Sequence, residues 1–341
     1  MKSILKKVLA PVAAGVLAFS ATSANANADL PKRTFCVFDI VGTQGPVYDI
    51  MKDYRLAALN WGIDFEMKSY TDEKIATEDF KAGKCDAVAV TGFRGRSFNS
   101  FTGTLDSIGA IPTEKHMKVV LQKMASPKLG KYMINGDYEV AGIAPGGGAF
   151  LFTKDRTIDT VGELSGKKIA VLEFDKSQSI MVESVGASPV SVSIANLGPM
   201  FNNGSVDIIA APTVAYEALE LYKGLGDNGA IVNFALVQLS LQVIIRHNQF
   251  PEGFGQKSRE YVWSQYDMAQ GLIDASTKAV KPNYWLELPE EDKIGYREMF
   301  RQSRLKLRDM GIYDAKMLTF LSRVRCSVDS SLAECTATDR E

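Results

Sequence analysis

A ten-residue pattern occurs twice in this chain, 121 residues apart, and it constrains the fold more than any other feature. Phe80, Gly83, Asp86 and Ala89 mark the first copy; Phe201, Gly204, Asp207 and Ala210 mark the second. In each copy the Gly stops an amphipathic helix, because it takes the left-handed conformation without steric cost. The apolar run after the Asp reads as a strand buried on both faces of a parallel sheet. Two such units predict two similar α/β lobes rather than one continuous sheet. A cleft between lobes is where small ligands bind.

The first residues read as a targeting segment. Lys2, Lys6 and Lys7 precede an apolar run over 8–19, and the small residues 24–28 offer cleavage after Ala26 or Ala28. This is the pattern of an export signal, assigned to residues 1–28. Its apolar run is too short to span a bilayer comfortably, and no Cys stands near the cleavage point to carry a lipid. Cleavage takes away those three lysines and no acid, which leaves 36 basic and 40 acidic residues. No dense basic stripe is present, so nucleic acid is not an expected partner. The expected location is the periplasm, in soluble form.

Cys36, Cys85, Cys326 and Cys335 all follow the signal. In an exported chain an even count favours disulfides, with three pairings open. Cys36 falls in the first predicted strand and Cys85 just before the third, a sheet neighbour; Cys326 and Cys335 flank a short polar loop. The favoured pairs are therefore Cys36–Cys85 and Cys326–Cys335. The spacings match no zinc-ligand pattern, and the chain has two histidines.

Apolar periodicity predicts strands at 34–41, 64–70 and 86–90, with helices beginning at Pro46 and spanning 72–81. The second unit repeats this plan, with strands at 168–174, 189–193 and 206–211. Its helices are expected at 177–185, stopped by Gly186, then 194–203 and 213–225. Between the units, strands at 138–143 and 149–152 flank Gly146, Gly147 and Gly148, which read as a flexible turn. A long apolar strand at 230–245 and the strands beside that turn are candidate hinges or ordinary sheet members. The C-terminal third reads as helix over 256–280, 290–310 and 314–324.

Most catalytic constellations are missing from the sequence. His116 and His247 leave little for a Ser-His-Asp triad or a multi-His metal site. Neither a phosphate-binding P-loop nor a dinucleotide fingerprint is present. Glu290, Glu291 and Asp292 open a helix after Pro289 and read as a solvated face favoured by the helix dipole. The positive signal is positional, because ligands of open α/β sheets bind beyond the carboxyl ends of the strands. Four loops occupy that place. They carry Thr43 and Gln44; Thr91, Phe93, Arg94 and Arg96; Glu173 and Phe174; and Pro212 and Thr213. Arg94 and Arg96 either clamp an anionic group or form a surface ion pair. Phe93 and Phe174 wall an apolar part of a ligand, or Phe174 packs in the core.

Residues 161–171, with Gly162, Leu164, Gly166, Lys167 and Ala170, resemble the lobe-two strand region of DctP-like TRAP-transporter solute receptors. Gly186, Pro189, Phe201, Gly204, Asp207 and Pro212 follow in that family's order and spacing. The resemblance covers roughly 30–290 and is dense over about 150–225. It extends to a branch of solute-binding proteins, some labelled AdeT-like or RND-type efflux pump proteins. What it implies is a two-lobed receptor of the periplasmic binding protein type II plan. Such receptors usually carry an Arg in this strand that pairs with a ligand carboxylate; here the position is Ala170. Residues 150–153 also lack the family's second Arg, and Ala211 stands where an Asn often precedes the strand-ending Pro. Either Arg94 and Arg96 supply charge from the opposite lobe, or the ligand is neutral.

The expected fold is α/β and two-lobed, each lobe a βαβαβ unit with flanking helices, hinge strands between lobes and a helical C-terminus. Lobe I is assigned to 29–145 with part of 231–275, and lobe II to 146–230 with part of 276–341. The expected function is capture of a small-molecule solute between lobes and delivery to a membrane permease, TRAP-type by the resemblance. No cofactor, metal or catalytic residue is expected. One alternative is an accessory of an efflux pump, which would need a long heptad hairpin that is not evident here. The other is an enzyme on the same scaffold, with Glu173 and Asp175 as its acid–base candidates.

Overall fold

Strand formation in the first half follows the apolar pattern closely. β1 (Lys32–Phe38), β2 (Asp64–Tyr70) and β3 (Ala87–Thr91) pair in parallel, with β1 in the middle. The computed structural model describes residues 30–337 and 341, so the export signal assigned to 1–28 lies outside the described residues. Helices Pro46–Leu59 and Glu73–Lys81 make the two crossovers. Alternate β1 side chains serve two cores, as the period of two demands. Cys36 and Phe38 enter one cluster with Phe80 and Val88, while Phe35 and Val37 enter another with Tyr54 and Phe65.

β4 (Ile134–Asn135) forms a short hairpin with β5 (Tyr138–Thr153). The second half then repeats the first. β6 (Lys168–Leu172), β7 (Ser188–Val192) and β8 (Ile208–Pro212) are again parallel, with β6 in the middle. Its crossovers are helices Lys176–Ser184 and Ile194–Asn202. β9 (Ala230–Val232), β10 (Val237–Arg246) and β11 (Trp285–Leu286) complete the strands.

The strand order is β2-β1-β3-β10-β5-β8-β6-β7, so the order 2-1-3 of one half is answered by 7-6-8 in the other. The expectation of two separate sheets is corrected here, because the ladder runs unbroken through β5 and β10. The physical reason is the length of β5. Its first part, from Tyr138 to Ala149, pairs with β10, while Ala149 to Thr153 pairs with β8. β10 in turn pairs with β3 through Leu241 to Ile245. Each half thus receives an antiparallel strand arriving from the other, and hydrogen bonding never lapses at the crossing.

Four further readings change. The long strand expected over 230–245 is two, β9 and β10, separated by residues 233–236. Gly146, Gly147 and Gly148 lie inside β5 rather than in a flexible turn, since β10 supplies ladder partners for Pro145, Gly147 and Gly148 and skips Gly146. The register shifts between Leu239 and Ser240, opposite this stretch, and Gly147 takes φ 89°, so the glycines admit a bulge rather than a reversal. The helix expected over 213–225 is two short ones, Ala215–Ala218 and Leu221–Leu225, separated by Glu220 at φ 51°. That break lets Tyr216, Leu221 and Leu225 all enter the Phe201 core. The long C-terminal helix over 256–280 is likewise Phe254–Ser264 and Tyr266–Ala279.

The repeated pattern has a structural meaning in both copies. Gly83 and Gly204 have φ 76° and 79°, and Phe80 and Phe201 are fully buried. Asp86 accepts the Thr34 N–H at 2.7 Å, and Asp207 accepts the Lys168 N–H at 2.8 Å, each bond holding the start of a central strand. Even the cations correspond. Arg246 lies over the Phe80 ring and donates to its carbonyl; Lys154 lies over the Phe201 ring and donates to its carbonyl. Both expected disulfides, Cys36–Cys85 and Cys326–Cys335, are formed.

Candidate functional site

The first strand of each half ends in a carboxylate that opens the next helix. After β1, Asp39 Oδ2 accepts the N–H groups of Val47 and Tyr48 at 2.8 and 3.0 Å, and Oδ1 accepts that of Val41 at 2.9 Å. A side chain on Gly45 would collide with this carboxylate, so the residue before the helix must be Gly. After β6, Asp175 Oδ1 accepts the Ser177 N–H at 3.0 Å and its hydroxyl at 2.6 Å. Both arrangements satisfy N–H groups that a helix start leaves orphaned and place negative charge at the positive dipole end.

Between these strand tips lies a cavity of about 260 Å³. Phe38, Thr91 and Leu241 bound it from the first half, Ala170, Leu172 and Pro212 from the second. Helix Tyr266–Ala279 adds Leu272 and Ile273, and the glycine-bearing stretch of β5 adds Gly146. A smaller apolar cavity of about 110 Å³ lies toward helix Glu290–Asp309 and shares the walls Phe93, Ala170, Gln178 and Ala210.

Of the residues expected at the site, Thr91, Phe93 and Pro212 line the main cavity. Thr43 and Gln44 are exposed in the turn before helix Pro46–Leu59, outside its walls. Thr213 is buried and shares a hydrogen bond of 2.8 Å with Thr277. Glu173 reaches solvent, 3.5 Å from Lys74. Arg94 and Arg96 turn to protein partners. The Arg94 guanidinium stacks 3.4 Å from the centre of the Phe174 ring and forms a 3.7 Å ion pair with Glu73. Arg96 Nη1 donates to Asp175 Oδ1 at 3.0 Å, and its Nε donates to the Gly103 carbonyl. The loops that carry Arg94 and Arg96 and Phe174 and Asp175 therefore meet across the halves, and their arginine charge joins the halves to each other instead of entering the cavity.

Burial raises the pKa of Glu73, although the Thr91 N–H and Arg94 partly offset it. Asp106 is pushed up to about 7, again chiefly by burial, against the hydrogen bonds it accepts from the Ser240 N–H and hydroxyl. Among the described residues no group of three or more His, Cys, Asp and Glu is placed to hold a metal ion. Asp39 and the apolar wall residues Ile50, Leu197, Val214 and Leu239 were not singled out from the sequence. Asp39 carried a signal, since an Asp between a strand and a Gly-Pro helix start is a capping position.

The family profile described as solute-binding protein AdeT 1/2 matches residues 56–340. The chain belongs to the AdeT 1/2 family. It is 45% identical over 303 residues to the probable solute-binding protein AdeT1 of Acinetobacter baumannii, covering 89% of this chain and 100% of that one. AdeT2 of the same organism is 30% identical over 233 residues, 68% of this chain and 98% of the relative. Like its relatives, this AdeT 1/2 protein is a solute-binding protein.

Solved structures share the fold of this AdeT 1/2 member. A TRAP periplasmic solute-binding protein from Desulfovibrio salexigens with bound orotic acid aligns at a TM-score of 0.72, with 13% identity over 87% of this chain and 99% of its own. The sugar acid binding protein DctPAm from Advenella mimigardefordensis, in complex with galactonate, aligns at 0.72 with 12% identity over 88% and 100%. The expected two-lobed α/β architecture is thereby established for the AdeT 1/2 chain.

Proposed function

We propose that this protein is a periplasmic receptor that captures a small molecule in the cavity between its halves and presents the closed form to a membrane permease of the TRAP type. The observation that carries this reading is the origin of the cavity walls: strand tips of both halves face one space, at the place where open α/β sheets bind ligands. A ligand touching both halves stabilises the closed arrangement by its differential contacts, which gives a permease a state to recognise. Thr91, Phe93 and Pro212 are the contacts proposed from the original site residues. The halves are proposed to divide near residue 145, with β5 and β10 as the hinge strands. Binding and release account for the site without turnover.

Native mass spectrometry of the protein taken from its own periplasm tests this reading. The expected result is a non-covalent mass addition, lost on denaturation, together with an N-terminus at residue 27 or 29. A chain that carries no adduct, gains no thermal stability from any of a metabolite panel and keeps its first 28 residues would overturn it. A ligand bound only to the folded state must raise apparent stability.

A further inference from the structure

We infer that the solute is a neutral, hydrocarbon-rich molecule with at most one hydrogen-bonding group, and that it reaches past Phe93 into the smaller cavity. This rests on the receptor reading and names the ligand class of the same site.

The walls carry the inference. Among the described residues that line the main cavity there is no Lys, Arg or His. Its polar members are Asp39, Thr91, Gln178 and Ser240, and each is already engaged. Asp39 takes three backbone N–H groups. The Thr91 N–H goes to Glu73 and its hydroxyl accepts the Arg94 N–H. Gln178 accepts the Leu172 N–H, and the Ser240 hydroxyl donates to Asp106. An anionic ligand would meet the Asp39 carboxylate and no cation, having left water with no partner to replace its hydration. Arg94 and Arg96 do not relieve this, because neither lines the cavity and each already has a carboxylate for its charge, Glu73 or Asp175, although Arg94 Nε and Arg96 Nη2 make no hydrogen bond among the described residues.

A second observation points the same way. Large apolar residues are exposed where the cavity opens: Val41 at 48%, Val214 at 38% and Leu272 at 42%. These come from three separate segments and converge on one rim, whereas scattered apolar residues need no explanation. The smaller cavity continues the character inward, with Leu151, Val171, Val237 and Phe300 on its walls and Phe93 shared with the larger one. An extended apolar chain passing the Phe93 ring would cover both spaces.

The test uses the mature protein and the fluorescent probe N-phenyl-1-naphthylamine, with competition by n-alkanols of six to fourteen carbons and by D-galacturonate. The expected result is saturable probe binding, displaced by alkanols whose affinity rises about fourfold per added methylene until the space is filled. Galacturonate is expected to displace nothing and to leave the melting temperature unchanged. The rim variant Leu272→Glu is expected to weaken probe binding at least tenfold with an unaltered circular dichroism spectrum. Phe93→Ala is expected to shift the preferred alkanol to a different length. Galacturonate binding without probe binding would overturn the inference and leave the receptor reading standing. Binding of neither class, together with no adduct from the periplasm, would overturn both. Probe binding indifferent to Leu272→Glu would place it elsewhere on the protein and also end the inference.

Discussion

Arg96 of the first half holds Asp175 of the second: Nη1 to Oδ1 is 3.0 Å, and 13% and 2% of the two side chains reach solvent. Asp175 simultaneously caps helix Lys176–Ser184, so one carboxylate starts a helix in its own half and anchors an arginine from the other. Arg96 is fixed in turn by the Gly103 carbonyl and by the Tyr313 ring 5.1 Å away. Replacing Arg96 by Met leaves the Asp175 charge buried without its cation. The expected cost is about 3–5 kcal/mol in the free energy of urea unfolding. Asp175→Asn keeps a capping oxygen and removes the charge, so the double variant is expected to recover part of that loss. Strict additivity of the two single changes would show that the pair is not coupled.

The reciprocal clamps at Asp86 and Asp207 give a second prediction. Each carboxylate accepts the N–H at the start of its central strand, and each backbone N–H returns a bond to that strand at 2.9 Å. Asp86→Ala and Asp207→Ala are expected to cost about 1–3 kcal/mol each, with Asp207 at the lower end because its bond is the more exposed. Hydrogen exchange checks the assignment. Protection should fall first at Thr34 in one variant and at Lys168 in the other. Loss spread evenly over the chain would argue against local clamping.

Much of this architecture was legible because the repeat encodes geometry directly. Gly83 and Gly204 announced positive φ, and the buried strands after Asp86 and Asp207 announced a parallel sheet. The unbroken ladder was not legible, since Gly146, Gly147 and Gly148 suit a turn and a bulge equally well, and only β10 decides between them. Helix Glu114–Met124 went unread although Met117, Val120, Leu121 and Met124 have helical spacing and Thr113 caps it. The site divided along chemical lines. Strand-end positions located Thr91, Phe93 and Pro212 on the cavity wall. Arg94 and Arg96 were read by their charge, and a sequence does not display the buried acids Glu73 and Asp175 that claim them.

The two disulfides are expected to differ in weight. Cys36–Cys85 closes a separation of 49 residues and is almost inaccessible, whereas Cys326–Cys335 closes 9 and is partly exposed. On the chain-entropy account the first contributes about 4 kcal/mol and the second about 2.5. Thiol trapping under rising reductant should therefore label Cys326 and Cys335 well before Cys36 and Cys85. The Cys36→Ala, Cys85→Ala double variant should lose more stability than the Cys326→Ala, Cys335→Ala pair. The opposite ranking would mean that the buried bond restrains a region already ordered in the unfolded chain.

Asp106 sets a pH dependence whose sign can be worked out. Its ordinary carboxyl pKa of 3.8 rises to about 7 in the folded chain, because burial outweighs the Ser240 bonds and the attraction of Arg96, while Asp175 pushes it further up. Below about pH 4 the proton is bound in both states, and Asp106 introduces no difference between them. From there to pH 7 the folded protein holds a proton that the unfolded chain has released, so rising pH withdraws about 1.4 kcal/mol per unit. Above 7 both states are ionised and the loss stays constant, on the order of 4 kcal/mol. Asp106→Asn cannot ionise, and its amide can still accept from the Ser240 N–H. Relative to wild type, its unfolding free energy should therefore climb between pH 4 and 7 and level off above, as measured by urea titration across that range. A difference that stays flat with pH would show that Asp106 is already ionised in the folded state at pH 4, held by Arg96 more strongly than burial opposes it.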